Sequence, residues 1–133
     1  MLRRILLALA ALSLSLPAVA DGESLATLVG TSWRLAQLDD EPVAPSVTST
    51  LMISADSIGG NGGCNTYGGN IAETPTGIDI TEVFSTLMAC DGLNQEQAFL
   101  AALEAADSFA VVAGNLQLLE NGTLLAELAP ANQ

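Results

Sequence analysis

Hydrophobic and polar residues alternate at a spacing of two along much of the chain, a pattern typical of β-strands with one buried face. Trp33 and Leu35 set this period in the first stretch, and Leu51 and Ile53 set it in the second. Acids and prolines interrupt it at DDEPVAPS, residues 39–46, where we predict a loop. The predicted strands of this part are residues 29–38, 48–55, 55–63 and 67–73, which together indicate a meander.

A longer extended run follows a predicted turn at residues 74–77. Ile78, Ile80 and Phe84 stand at even spacing in this run. Because alternate residues of a strand point to the same side, we predict that these three side chains share one face.

The hydrophobic spacing then changes to that of a helix, predicted over residues 95–106. Asn94 and Gln97 have the spacing of a capping box, and Glu96 places an acid in the first turn, where the helix dipole favours it. The residues at helical spacing are Phe99, Ala102, Leu103 and Ala106. This face is expected to pack on a sheet.

Two glycine turns divide the end of the chain into three apolar segments. Gly114-Asn115 precedes LQLLE, and Asn121-Gly122 precedes TLLAEL. Asn-Gly between apolar strands is a strong hairpin signal, because both central residues adopt positive φ. The sequence therefore predicts an α+β, mainly antiparallel β domain, with about seven or eight short strands in a curved sheet or small barrel and one helix inserted before the last three strands.

The N-terminus has the pattern of a secretory signal peptide. Arg3 and Arg4 precede an apolar run over residues 5–16, and the small-residue triplet 18–20 follows. We predict a signal peptide over residues 1–20, cleaved after Ala20, and a single domain over residues 21–133. The chain is then expected in the periplasm or secreted, with no stable membrane anchor, because the apolar run is shorter than the roughly 20 residues that span a bilayer.

Charge excludes one class of partner. After cleavage the formal charge would be −14, from 15 acidic residues and the single cation Arg34. Binding to phosphate backbones depends on lysine and arginine, so we expect no nucleic-acid partner.

Cys64 and Cys90 are the two cysteines of the chain. In an exported domain of this size they most simply form one disulfide. In the chain-entropy model the closed loop of roughly 26 residues contributes about 3 to 4 kcal/mol of stability.

The glycine-rich stretch 59–70 around Cys64 does not match a nucleotide-binding loop, because the chain contains no lysine. The chain also contains no histidine, so neither a Cys-His pair nor a Ser-His-Asp triad is possible. We therefore predict no enzyme activity, no catalytic residues, no cofactor and no metal site. A carboxylate pair and a calcium ion at the acidic cluster 39–41 stay open as alternatives.

Several segments in this order resemble the META domain, the family of the heat-shock protein HslJ. They are GTSWRL at 30–35, GGCNTYGG at 62–69, FSTLMAC at 84–90 and the closing hairpins. The resemblance covers roughly residues 25–129 and implies a small exported or envelope-associated β domain with one helix and no defining enzymatic activity. Its motif positions are Gly63, Cys64, Asn65, Thr86, Met88 and Cys90 in this chain.

Two functions follow from these observations. The first is a non-catalytic envelope domain that binds another protein or supports stress tolerance. The alternative is a carrier that holds a small apolar ligand in a β-barrel cavity. Trp33, Tyr67 and Phe84 are the predicted ligand or partner surface. A retained cavity would favour the carrier, an exposed apolar patch would favour the binding module, and in either case we expect a monomer.

Overall fold

The computed structural model describes residues 23–131, so the predicted signal peptide and its cleavage site lie outside the described residues. None of the helices in this part of the chain is long and apolar enough to span a membrane. Within residues 23–131, a short 3-10 helix over Leu25–Leu28 precedes nine strands and one α-helix, α1. The elements are β1 Ser32–Leu38, β2 Glu41–Pro42, β3 Thr50–Ile53, β4 Ser57–Asn61, β5 Thr66–Thr74, β6 Gly77–Ser85, α1 Leu93–Ala105, β7 Ser108–Val112, β8 Asn115–Glu120 and β9 Thr123–Pro130.

All strands pair antiparallel in one open, curved sheet with the order β6-β5-β4-β3-β1-β9-β8-β7, and β2 pairs with β1. The predicted fold class is thus confirmed. The two-residue strand β2 lies in a segment predicted to be entirely loop. Its pairing of Leu38 with Glu41 follows a tight turn in which Asp39 has φ of 53°.

The helix connects β6 and β7, the two terminal strands of the sheet order, and packs against β6, β8 and β9. Phe99 and Leu103 are fully buried on its inner face. The two sheet edges approach where the backbone N–H of Ile78 in β6 donates to the carbonyl of Asp107, just before β7, at 3.0 Å. The buried hydrophobic residues of sheet and helix form one cluster, so the domain has a single core.

A β-bulge in β6 places Phe84 on the opposite side from the predicted one. Ile78 and Ile80 are buried as expected, but Phe84 is 69% exposed. Glu82 has φ of 54°, and the register with β5 shifts at this point. Because an extra residue reverses the alternation of a strand, the side chains after the bulge exchange faces.

Two other local predictions were wrong. The helix begins at Leu93 with Gly92 as its N-cap, and no side chain caps it, so Asn94 and Gln97 form no capping box. The turn between β7 and β8 consists of Ala113 and Gly114, both with positive φ, while Asn115 already belongs to β8.

The last hairpin offers a test of turn chemistry. Asn121 and Gly122 have φ of 49° and 80°, as the Asn-Gly signal predicts. Gly122→Val should lower the free energy of unfolding by about 1 to 2 kcal/mol, because a β-branched residue is strained at positive φ. Chemical denaturation measures this change, with Thr123→Val in the adjacent strand as the control. Equal stability of the two variants would contradict the turn assignment.

Candidate functional site

A buried glutamate connects the helix to the glycine-cysteine loop. Glu96, in the first turn of α1, is 2% exposed. Its Oε1 accepts the backbone N–H groups of Cys64 at 3.0 Å and Asn65 at 2.5 Å. Its Oε2 accepts the side-chain amide of Asn65 at 2.6 Å. One carboxylate thereby satisfies three donors of a loop that makes no strand pairing at this point.

Asn65 connects the loop that Glu96 holds to the segment after β6. Its Oδ1 accepts the Met88 N–H at 2.6 Å and the Thr86 hydroxyl at 3.0 Å, and its Nδ2 also donates to the Met88 carbonyl at 3.0 Å. The side chain thus pairs with both backbone groups of Met88, as a neighbouring strand would. Asn65 is 21 positions from Thr86 and 23 from Met88 in the sequence, yet the three residues are one hydrogen-bonded unit.

Two glycines make this close packing possible. A Cβ on Gly62 would lie 2.5 Å from Cγ and 2.7 Å from Oε1 of Glu96. A Cβ on Gly92 would collide with the Gly63 carbonyl oxygen. Glycine is needed at these positions because the backbone approaches other groups more closely than a side chain would permit.

The disulfide closes the same unit. Cys64 and Cys90 are bonded, as predicted, with their Cα atoms 5.9 Å apart. The carbonyl of Cys90 accepts the N–H of Leu93 at the start of α1. The bond therefore joins the loop between β4 and β5 to the connection between β6 and the helix.

The fixed backbone leaves two large apolar side chains in solvent. Leu87 is 96% exposed and Met88 is 63% exposed. Thr86 N–H donates to the Thr66 carbonyl, so the backbone is bonded on both sides of Leu87 and cannot rotate this side chain inward without losing hydrogen bonds. Exposing a leucine forgoes roughly 1.5 to 3 kcal/mol of burial, so Leu87 does not contribute to the stability of the core.

Residues 85–89 and the helix α1 border a groove with a volume of about 240 Å³. We call it the Leu87 groove. Leu87 and Met88 lie on one side, Leu93 and Leu100 lie on the helix side, and polar atoms of the buried unit also contribute to its lining. No group of three or more histidine, cysteine, aspartate or glutamate residues within 23–131 is arranged to hold a metal ion.

Both motifs lie in a part of the sequence that matches a known family. The family model of the META domain matches residues 26–131. The chain belongs to the META domain family. The glycine-cysteine-asparagine and threonine-methionine-cysteine motifs of this META domain are the two halves of the unit around Asn65.

Two solved structures share the META domain fold of this chain. An NMR structure of a protein from Burkholderia xenovorans is similar with a TM-score of 0.67 and 24% identity, over 89% of this chain and 100% of that one. A second NMR structure is similar with a TM-score of 0.62 and 17% identity, over 79% of this chain and 93% of that one. At these identities the likeness shows the fold alone. No curated protein matches the sequence at a significant level.

The predicted surface of Trp33, Tyr67 and Phe84 is not one surface. Trp33 and Tyr67 are buried in the core, and the Tyr67 ring packs edge-on against Phe99 with centroids 6.0 Å apart. Burial raises the pKa of the Tyr67 phenol far above its ordinary value, and the hydroxyl donates to the Thr50 carbonyl at 2.6 Å. Only Phe84 is exposed, since the bulge turns it outward, where its ring lies over Gly68.

Glu96 is the site residue whose role the sequence prediction missed. The sequence pattern indicates only an acid that the helix dipole favours. A signal was nevertheless present, because Glu96 stands three residues before Phe99 and seven before Leu103, on the apolar face of the helix. A carboxylate at such a position requires buried donors. The sequence does not show that those donors are Cys64 and Asn65.

Proposed function

We propose that this META domain is a non-catalytic protein-binding module of the cell envelope and that the Leu87 groove is its contact surface. The observation that supports this function is the exposure of Leu87 and Met88 on a segment whose backbone is fixed by Asn65 and the disulfide. A backbone that is already held in place loses little further conformational entropy on binding, which favours recognition of a partner.

The carrier function has less support. Trp33 and Tyr67, which were expected to line a cavity, are members of the packed core cluster. The edge-on contact of Tyr67 with Phe99 occupies the space between sheet and helix. An exposed apolar patch is the feature that distinguishes the binding module from the carrier.

A photo-crosslinking amino acid at position 88 tests the proposal. The control is the same amino acid at Met52, a 59% exposed methionine on β3. In cells producing the full chain, we expect position 88 to form a discrete protein adduct and position 52 to form none.

A second change in the same chain makes the result specific. Leu87→Asp should abolish the adduct while changing stability by no more than about 0.5 kcal/mol, because the side chain contacts almost nothing in the domain. Equal adducts from both positions, or an adduct that persists in the Leu87→Asp chain, would contradict the proposed contact surface.

A further inference from the structure

We propose that the Leu87 groove selects a lysine- or arginine-rich segment of a partner protein that inserts one or two large apolar side chains. This inference rests on the proposed function and names the chemistry of the partner. It follows from the size of the groove, the composition of its walls and the charge of the elements that carry it.

The groove fits an anchor side chain better than a complete small molecule. Its volume is about 240 Å³, below the about 300 to 1,000 Å³ typical of small-molecule pockets. Leu87 and Met88 face Leu93 and Leu100 across it. Flexible methionine and leucine side chains adapt to different apolar anchors, as in the grooves that accept amphipathic segments.

The elements that carry the groove are acidic, while its lining contains one acid, the buried Glu96. Residues 77–106, which include β6, the disulfide segment and α1, contain five acids and no lysine or arginine. Four of these acids are exposed: Asp79, Glu82, Asp91 and Glu104. Glu104 follows Leu100 by one helical turn, on the same face of α1, and Asp91 precedes Leu93 by two residues.

Arg34, the one cation within residues 23–131, does not lie on the elements that carry the groove. Arg34 lies in β1, and three strands separate β1 from β6 in the sheet. A basic segment on the groove would therefore meet only acids on the neighbouring elements. A second copy of this acidic chain would bring like charges together, which opposes self-association at the same surface.

Calorimetric titration of the exported chain with three synthetic peptides tests the proposal. The first peptide is amphipathic and built from leucine and lysine, the second has glutamate in place of lysine, and the third has serine in place of leucine. We expect the leucine-lysine peptide to bind at least about tenfold more tightly than either of the others.

Variants of the chain locate the binding. Leu87→Ser should lower the affinity for the leucine-lysine peptide about tenfold. Glu104→Gln should lower it about two- to threefold and make it less dependent on salt. Met52→Ser and Glu120→Gln are the matched controls, an exposed methionine on β3 and an acid at the end of β8, and should change the affinity little.

Any one of four outcomes would overturn the inference. The first three are equal binding of the leucine-glutamate peptide, no effect of Leu87→Ser on binding, and a dimer of the chain in sedimentation that Leu87→Ser dissolves. The fourth is that none of the peptides binds. If none of the peptides binds while the crosslinked adduct at position 88 persists, the basic partner is wrong and the binding module stands. If the adduct is also absent, the proposed function fails as well.

Discussion

Glu96→Gln is expected to lower the free energy of unfolding by about 2 to 4 kcal/mol, because a buried donor loses its acceptor. Glutamine has one side-chain oxygen, whereas Glu96 uses both of its oxygens. In one orientation of the glutamine its NH₂ group faces the Asn65 amide, and in the other it faces two backbone N–H groups. Rotating Asn65 does not help, because its Oδ1 already accepts from Thr86 and Met88.

The matched control is Glu104→Gln, which makes the same chemical change at an exposed position of the same helix. It should change stability by no more than about 0.5 kcal/mol. Urea denaturation of both variants at neutral pH measures the difference. If the two variants are equally stable, the carboxylate of Glu96 does not anchor the loop as the hydrogen bonds indicate.

Removing the disulfide is expected to lower the free energy of unfolding by an amount similar to that of Glu96→Gln. The Cys64→Ala, Cys90→Ala double variant should lose about 3 to 4 kcal/mol, because a loop of 26 residues regains its freedom in the unfolded chain. The backbone beside the Leu87 groove should lose the most protection from hydrogen exchange, since Cys90 lies in the connection between β6 and α1. Hydrogen exchange of residues 86–92 should therefore increase more than that of β8.

A reductant provides the control. It should destabilise the wild-type chain to the level of the double variant and leave the double variant unchanged. Protein isolated without reductant should also resist alkylation at both cysteines. Free thiols in that sample, or a double variant as stable as the oxidised wild-type chain, would show that the bond does not stabilise the native domain.

Much of the fold was predictable because its signals are local. The period-two pattern located Leu51, Ile53, Ile78 and Ile80 in the core, and Asn121-Gly122 located a hairpin. The error at Phe84 has a single cause. A bulge depends on pairing with β5, and the strand pattern of β6 by itself contains no sign of the extra residue.

The candidate site was predictable only as separate parts. The motifs drew attention to Cys64, Asn65, Thr86 and Met88, and the predicted signal peptide favoured a disulfide, but the hydrogen bonds of the site depend on residues far apart in the sequence. Hydrophobicity alone would also place Leu87 in a core, whereas Asn65 and the disulfide fix its backbone so that the side chain faces solvent.

The sequence by itself determined the β-rich class, the position of the helix, the acidic charge and the absence of histidine and lysine, because these depend on composition and on neighbours within a few residues. Only the tertiary structure decided that Glu96 binds the Cys64–Asn65 loop and that Leu87 and Met88 border an exposed groove. The reason is physical: a buried carboxylate is stable only where distant donors converge, and that convergence exists only after the sheet has curved and the helix has packed against it.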